Sequence, residues 1–126
     1  MNRIATSIML FISVIIVCGI ELFKINYVSE KIKEDLTLIQ TLVSDDEMSK
    51  AKDLSSSIYD FWEDNSRILA IFVQHDTLDN IEEALALMDS AIEKDEVADF
   101  WSENLRAYIQ ISNLNDTIYP TIENIL

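Results

Sequence analysis

The 126-residue sequence has few of the residues that form tight turns, disulfides or metal sites, since it contains one glycine, one proline, one cysteine and one histidine. So few glycines and prolines disfavour a fold of many short strands. The single cysteine, Cys18, excludes an intrachain disulfide. The only glycine, Gly19, lies in an apolar run, so no glycine-rich loop is available to hold a phosphate group.

Basic residues are scarce as well: 9 lysines and arginines face 23 aspartates and glutamates, and the formal net charge is −14. Such a surface repels phosphate groups, so we expect no nucleic-acid partner. Adjacent carboxylates such as Glu82 and Glu83 are typical of solvated helix faces, and no motif pairs a nucleophile with a base. We therefore predict that the protein is not an enzyme and has no catalytic residue, no metal ligand and no cofactor.

The most apolar part of the chain is an uncharged run from Ile4 to Ile20. As a helix it would be about 26 Å long at about 1.5 Å per residue, which is close to the hydrocarbon thickness of a bilayer. The run predicts a single-pass transmembrane anchor over residues 1–23 in the cell membrane, with the lipid bilayer as a partner. The short N-terminal tail favours an extracytoplasmic C-terminal domain, whereas Lys24, Lys31 and Lys33 after the run leave the orientation open.

From residue 24 onward, apolar residues recur at steps of three and four, which predicts helices. The expected fold is all-α: an N-terminal transmembrane helix followed by an antiparallel up-down bundle of three to four helices. The predicted segments are residues 24–43 as a continuation of helix 1, 45–75 as helix 2, 78–94 as helix 3, 96–117 as helix 4, and 118–126 as a tail. Ser44 and Glu47 have capping-box spacing at the start of the second helix, and Pro120 is expected to end any regular helix.

The second and fourth predicted helices each carry an apolar stripe that we expect to be buried. The second stripe consists of Ala51, Leu54, Ile58, Phe61, Asn65, Ile68 and Phe72, widened by Trp62 and Leu69, and the fourth of Val97, Trp101, Leu105, Tyr108 and Ile111. Within these helices, Asp60–Arg67 resembles Asp99–Arg106, because Asp, Phe, Trp and Asn recur in the same order. The match is open to two interpretations, either two helices that use tryptophan as core filler or the duplication of a helical hairpin. The candidate core residues are Trp62, Trp101, Asn65 and Asn104.

One polar cluster is a candidate site, formed by His75, Asp76, Asp79 and Asn80 at the junction of the second and third predicted helices. In a continuous helix, His75 and Asp79 would share a face at four-residue spacing. They could cap and pair across a turn, supply two metal ligands, or make His75 a pH-responsive charge. No second histidine completes a metal site, so the structural interpretation is favoured.

The chain contains Trp62, the run His75–Ile81, Leu85 and the ending Glu123–Leu126. In these short motifs it resembles a bacterial family, the domains of unknown function numbered 4363, found mostly in Gram-positive spore formers. The resemblance covers nearly the whole chain and implies an N-terminal apolar segment followed by a helical domain. The family has no assigned activity, so the resemblance implies location and fold but no mechanism.

These features predict a structural or protein-interaction module, held at the membrane by its anchor. Its partner would be another membrane or envelope protein, or a second copy of itself. The alternative is an extracytoplasmic domain that senses a small molecule or pH through His75 and Asp79, with Asn65 and Asn104 nearby. A pocket lined by these residues would favour sensing, whereas a close-packed core would not.

Overall fold

A computed structural model describes the backbone of residues 2–125 and the side chains of residues 2–114. Within this range the chain forms four α-helices and no strand: α1 (Asn2–Ser44), α2 (Met48–Leu69), α3 (His75–Glu93) and α4 (Val97–Ile125). Each helix packs on the next one in sequence, and α4 returns to pack on α1, so α1 and α3 lie on one diagonal and α2 and α4 on the other. This is an up-down four-helix bundle, and the predicted all-α bundle is confirmed.

The two halves of α1 have different surroundings. Residues 2–20 are exposed along their whole length, whereas burial begins at Ile25 and continues to Ile39. The apolar half contains an 18-residue window with a mean hydropathy of 2.5, of which only 6% is buried. This helix is therefore long and apolar enough to span a membrane, and its apolar half does not belong to the core of the bundle.

All four helices contribute to one hydrophobic core, in which each supplies residues at steps of three and four. Its buried members are Ile25, Val28, Ile32, Leu36, Ile39, Ala51, Ile58, Trp62, Leu69, Leu78, Ile81, Ala84, Leu85, Met88, Ala91, Ile92, Phe100, Ala107, Ile111 and Leu114. Because the core is made of such steps in every helix, the bundle buries an apolar stripe of each helix against its two neighbours.

The α1–α2 turn lies at the distal end of the bundle, opposite the apolar half of α1, and it corrects the predicted start of the second helix. Asp46 has a left-handed φ of 60°. The amide of Glu47 donates to the Leu42 carbonyl at 2.9 Å, and that of Asp46 donates to the Val43 carbonyl at 3.2 Å. These bonds are a Schellman motif that ends α1. The capping box predicted from Ser44 and Glu47 is therefore wrong, because Ser44 is still in α1 and Glu47 makes no side-chain cap bond.

The α3–α4 turn, also distal, repeats this arrangement. Asp95 has a φ of 58°, and the amide of Glu96 donates to the Ala91 carbonyl at 2.9 Å. Glycine usually occupies the left-handed position, but aspartate tolerates it better than most residues. In this chain, which has one glycine, an aspartate takes the left-handed position after both α1 and α3. The turn at Asp95 also includes Glu96, so α4 begins at Val97 rather than at residue 96 as predicted.

The α2–α3 turn, residues 70–74, is at the opposite end and is called the proximal turn. The predicted second helix, 45–75, is too long at both ends, since α2 covers Met48–Leu69. The predicted third helix, 78–94, starts too late, since α3 begins at His75. After Leu69 the backbone tightens, with the Phe72 amide donating to the Leu69 carbonyl at 3.0 Å, and this turns Phe72 out of the predicted buried stripe.

The fourth helix is longer than predicted. It runs to Ile125 rather than ending at 117, and Pro120 lies inside it. A proline removes one backbone donor from a helix, and here that loss does not end α4. The backbone of most of the predicted tail, 118–126, is thus helical, while its side chains and Leu126 lie outside the described residues.

Candidate functional site

The predicted polar cluster lies in the first turns of α3, next to the proximal turn. His75, Asp76, Asp79 and Asn80 are all exposed, and none forms a hydrogen bond or ion pair with another described side chain. Neither carboxylate caps the helix, because Gln74 occupies the N-cap position. His75 therefore sits at the positive end of α3, rather than at the negative end of α2 as the sequence predicted. The structure does not bring these residues together as a site.

A ligand site would require either a cluster of metal-ligating side chains or a cavity. Among the residues that the structure describes, no group of three or more His, Cys, Asp or Glu is placed to hold a metal ion. A depression at the distal end, lined among others by Val43, Met48, Ile92 and Phe100, has no room for a water molecule. It therefore does not offer a pocket for a small molecule.

Asn104 is the polar residue that most directly joins three helices. It is fully buried, and its Nδ2 donates to the Leu36 carbonyl of α1 at 3.1 Å and lies 3.7 Å from the Met88 sulfur of α3. Its Oδ1 accepts a 2.6 Å hydrogen bond from Gln40 Nε2. Both ends of the buried amide are thus satisfied, which makes Asn104 a packing and register residue of the bundle.

Asn65, the other candidate core asparagine, has a local role. It is half-buried, and its Nδ2 donates to the Phe61 carbonyl at 2.7 Å within α2. Trp62, one turn earlier, is fully buried. Because α2 and α4 are on a diagonal of the bundle, Asn65 and Asn104 do not share a pocket.

The buried face of α4 differs from the predicted one, and this corrects the placement of Trp101. The buried residues are Phe100, Asn104, Ala107, Ile111 and Leu114, so only Ile111 belongs to the stripe expected from the sequence. Trp101 is 37% exposed and is not a core residue. Its ring instead rests edge-on against that of Phe100, with 5.4 Å between the centroids.

This rotation leaves a second apolar stripe on the outside of α4. We call it the α4 stripe; its members are Val97, Trp101, Leu105, Tyr108 and Ile109, which are 37% to 59% exposed. Residues at steps of three and four lie on one side of a helix, so they form a continuous band. A contiguous exposed apolar band on a soluble surface is typical of an interaction site. The signal in the sequence was that α4 carries two apolar stripes, of which only one can face the core.

The position of the α4 stripe around the bundle follows from its neighbours. Asn104 faces α1, while Arg106 Nη2 lies 3.7 Å from Glu83 of α3, on the other side of α4. Trp101 and Tyr108 are three residues before and four after Asn104, so the stripe lies on the side of α4 that borders α1. It carries no charged side chain.

Charged groups elsewhere on the bundle mostly pair with near neighbours on the same helix. Lys31 Nζ donates to Asp35 at 2.9 Å, and this hydrogen bond raises the pKa of Lys31 against the opposing effect of burial. Burial raises the pKa of the Tyr59 hydroxyl, and the nearby carboxylates of Glu82 and Glu63 raise it further because they repel the phenolate. These are the interactions of a solvated acidic surface and do not form a reactive site.

Comparison with known proteins places the chain in a family. No curated protein and no solved structure matches it. A family model described as a domain of unknown function, DUF4363, matches residues 20–125, which cover the bundle and leave out most of the apolar half of α1. The expected resemblance is thereby confirmed. With the helical bundle and the matched residues in agreement, the chain belongs to the DUF4363 family.

Proposed function

We propose that this chain is a single-pass membrane protein whose acidic bundle is a protein-interaction module, and that its α4 stripe binds a second copy of the chain. The observation that carries the proposal is the uncharged, exposed apolar band of Val97, Trp101, Leu105, Tyr108 and Ile109 beside a fully packed core. A binding role rather than a catalytic one is consistent with the exposed, unpaired polar cluster on α3.

The anchor supports a membrane location. An exposed helix with a mean hydropathy of 2.5 is unfavourable in water, because the transfer of its apolar side chains from water to hydrocarbon lowers the free energy. The bundle then continues directly from the same helix, since α1 is unbroken from Asn2 to Ser44. The anchor therefore sets the height of the bundle above the bilayer.

A second copy is a partner whose geometry is defined by that anchor. Two copies in one bilayer point the same way, so their α4 stripes lie at the same height, and a two-fold axis along the membrane normal brings the stripes face to face. The contact buries apolar side chains without burying an unpaired charge. Repulsion between two chains with a formal net charge of −14 each opposes pairing, and salt screens it over about 8 Å at physiological ionic strength.

Disulfide trapping tests the pairing. In the full chain with Cys18→Ser, reconstituted in lipid vesicles, we expect Leu105→Cys to form a disulfide-linked dimer under mild oxidation, because a two-fold axis brings equal residues together. Ser56→Cys is the matched control, since Ser56 is exposed on α2, which lies diagonally across the bundle from α4. The dimer yield of Leu105→Cys should rise with salt.

Equal dimer yields from the two cysteines would mean random collision, and no dimer from Leu105→Cys would mean that the stripe is not a self-interface. Either result contradicts the proposal. Tyr108→Cys gives a second position on the stripe in case Leu105→Cys alone is unfavourably oriented.

We also propose that the bundle is extracytoplasmic. Ser56 is exposed on α2, so Ser56→Cys in the Cys18→Ser background should react with a membrane-impermeant maleimide in intact cells. Reaction only after lysis would reverse the orientation and would leave the pairing proposal unaffected.

A further inference from the structure

The proximal turn is apolar and exposed, unlike the rest of the surface that connects the helices. The segment Ile68–Gln74 contains no charged residue, and within it Ile71 is 72% exposed and Phe72 is 46% exposed. The two distal turns, by contrast, carry Asp45–Glu47 and Lys94–Glu96, all exposed. Connecting turns in water are usually polar, so the exposed apolar side chains of the proximal turn indicate contact with an apolar surface.

The height of the proximal turn along α1 follows from one contact between α1 and α2. The rings of Tyr27 and Phe61 meet edge to face with 6.3 Å between their centroids, so these residues are level. Leu69 ends α2 eight residues after Phe61, which is about 12 Å further down at about 1.5 Å per residue. The same distance back along the antiparallel α1 leads to about Gly19. The proximal turn is therefore level with the end of the apolar run.

The side chains around that level are those that favour a bilayer surface. Phe23 on α1 is 74% exposed and lies about 6 Å above that level at about 1.5 Å per residue, and aromatic residues are enriched at the boundary between headgroups and hydrocarbon. Lys24 and Arg67 lie at similar heights on α1 and α2, where basic side chains can reach lipid phosphates.

We propose that the proximal turn inserts Ile71 and Phe72 into the headgroup–hydrocarbon boundary of the bilayer that holds α1, so that the bundle touches the membrane at two places. The inference rests on the proposed membrane anchor. With a second contact, the bundle cannot swing freely about α1, and its α4 is held upright over the bilayer. The turn acts by apolar burial, while Arg67 and Lys24 remain at the headgroups.

Depth-dependent fluorescence quenching tests this contact. In the full chain with Cys18→Ser, a small environment-sensitive fluorophore is attached at Phe72→Cys, and the protein is reconstituted in vesicles that contain lipids brominated either near the headgroups or near the chain ends. We expect most of the fluorescence to be lost with the shallow bromines and little with the deep ones. Ile71→Cys is a second position that should behave alike.

Ser49→Cys is the matched control, because Ser49 is exposed like Phe72 but lies in the first turn of α2, at the distal end and outside the α4 stripe. Its fluorescence should be unaffected by either lipid. Ile12→Cys, in the middle of the apolar run, reports the anchor itself and should be quenched by the deep bromines.

The four labelled positions separate the possible outcomes. Quenching at Ile12 without quenching at Ile71 or Phe72 would overturn the second contact and leave the anchor intact. Absence of quenching at Ile12 would overturn the anchor, and the second contact with it. Equal quenching at Phe72 and Ser49 would mean that the bundle lies flat on the bilayer, which also contradicts the proposal.

Discussion

Two segments with nearly the same sequence have different environments in the bundle. Asp60–Arg67 of α2 and Asp99–Arg106 of α4 both read Asp-Phe-Trp, then Asn three residues after the tryptophan. In α2 the tryptophan is fully buried and the phenylalanine half-buried, whereas in α4 the phenylalanine is 1% exposed and the tryptophan 37% exposed. The two copies are rotated about the helix axis by roughly one residue, or about 100°. They are therefore not structurally equivalent.

The residues that flank each copy account for the rotation. Four residues before and seven after Trp62 are Ile58 and Leu69, both fully buried, so the tryptophan shares their face. Seven and eleven residues after Phe100 are Ala107 and Ile111, and these likewise place the phenylalanine inward. A short motif therefore does not determine burial by itself; the face is chosen by the longer stripe that fits the neighbouring helices.

The largest expected difference between the copies is that between the two tryptophans. Trp62→Ala should lower the free energy of unfolding by about 3–5 kcal/mol, because it leaves a large cavity in the core. Trp101→Ala should lower it less, by about 1–2 kcal/mol, since the side chain is 37% exposed and its removal opens no enclosed cavity. Denaturant unfolding of the full chain in nanodiscs, followed by circular dichroism, measures both.

Fluorescence gives an independent check of the same pair. In dilute detergent micelles, where the chains are kept apart, the remaining Trp101 of Trp62→Phe should be readily quenched by acrylamide, whereas the remaining Trp62 of Trp101→Phe should be protected. Similar quenching of the two residues would show that they occupy equivalent positions, and the comparison would fail.

The phenylalanines should show the reverse order with a smaller gap. Phe100→Ala should cost about 3–5 kcal/mol as a fully buried residue, while Phe61→Ala should cost less because Phe61 is half-buried and packs at the edge of the core, where its ring also meets that of Tyr27. The same unfolding measurement applies. A larger loss for Phe61→Ala than for Phe100→Ala would contradict the rotation.

The asparagines should differ by a smaller amount. Asn104→Ala removes hydrogen bonds that join α4 to α1 and leaves Gln40 without its acceptor, so we expect a loss of about 1–3 kcal/mol. Asn65→Ala removes only a bond to the carbonyl one turn back and introduces a better helix former, so its effect should be within about 0.5 kcal/mol. Thermal unfolding of both variants, compared with the parent chain, tests the difference.

The smallest expected effect concerns the residue directly before each segment, which is Tyr59 before Asp60 and Ala98 before Asp99. Because its pKa is raised in the folded state, the unfolded chain loses the phenolic proton first as pH rises above the ordinary value of 10.0. The contribution to stability is thus present near neutral pH and is lost as pH rises through the folded pKa. Phenylalanine at position 59 cannot ionise. The unfolding free energy of Tyr59→Phe should therefore rise relative to that of the parent chain once the pH exceeds the ordinary tyrosine pKa.

The measurement is the difference in unfolding free energy between the parent and Tyr59→Phe, taken near neutral pH and again above the ordinary tyrosine pKa. An unchanged difference would mean that Tyr59 is solvated alike in the folded and unfolded states.

The helical class, the apolar half of α1 and the family followed from the sequence. Helical periodicity is a local property, since steps of three and four put apolar side chains on one side of any helix. The length and apolar composition of the N-terminal run are likewise independent of folding. For the same reason, the core positions Ile58 and Ile32 lie on stripes that could be read directly from the chain.

The tertiary structure alone decided where helices end and which stripe of α4 is inward. Asp46 and Asp95 end helices by adopting a left-handed conformation. This conformation is locally unfavourable for a residue with a side chain, and the packing of the helices offsets its free-energy cost. The α4 sequence has two apolar stripes. The stripe that is buried is the one that lets Asn104 form hydrogen bonds with the Leu36 carbonyl and the Gln40 side chain of α1. Contacts between helices distant in sequence thus buried Phe100 and left Trp101 on the surface, because only one of the two faces can pack against both α1 and α3.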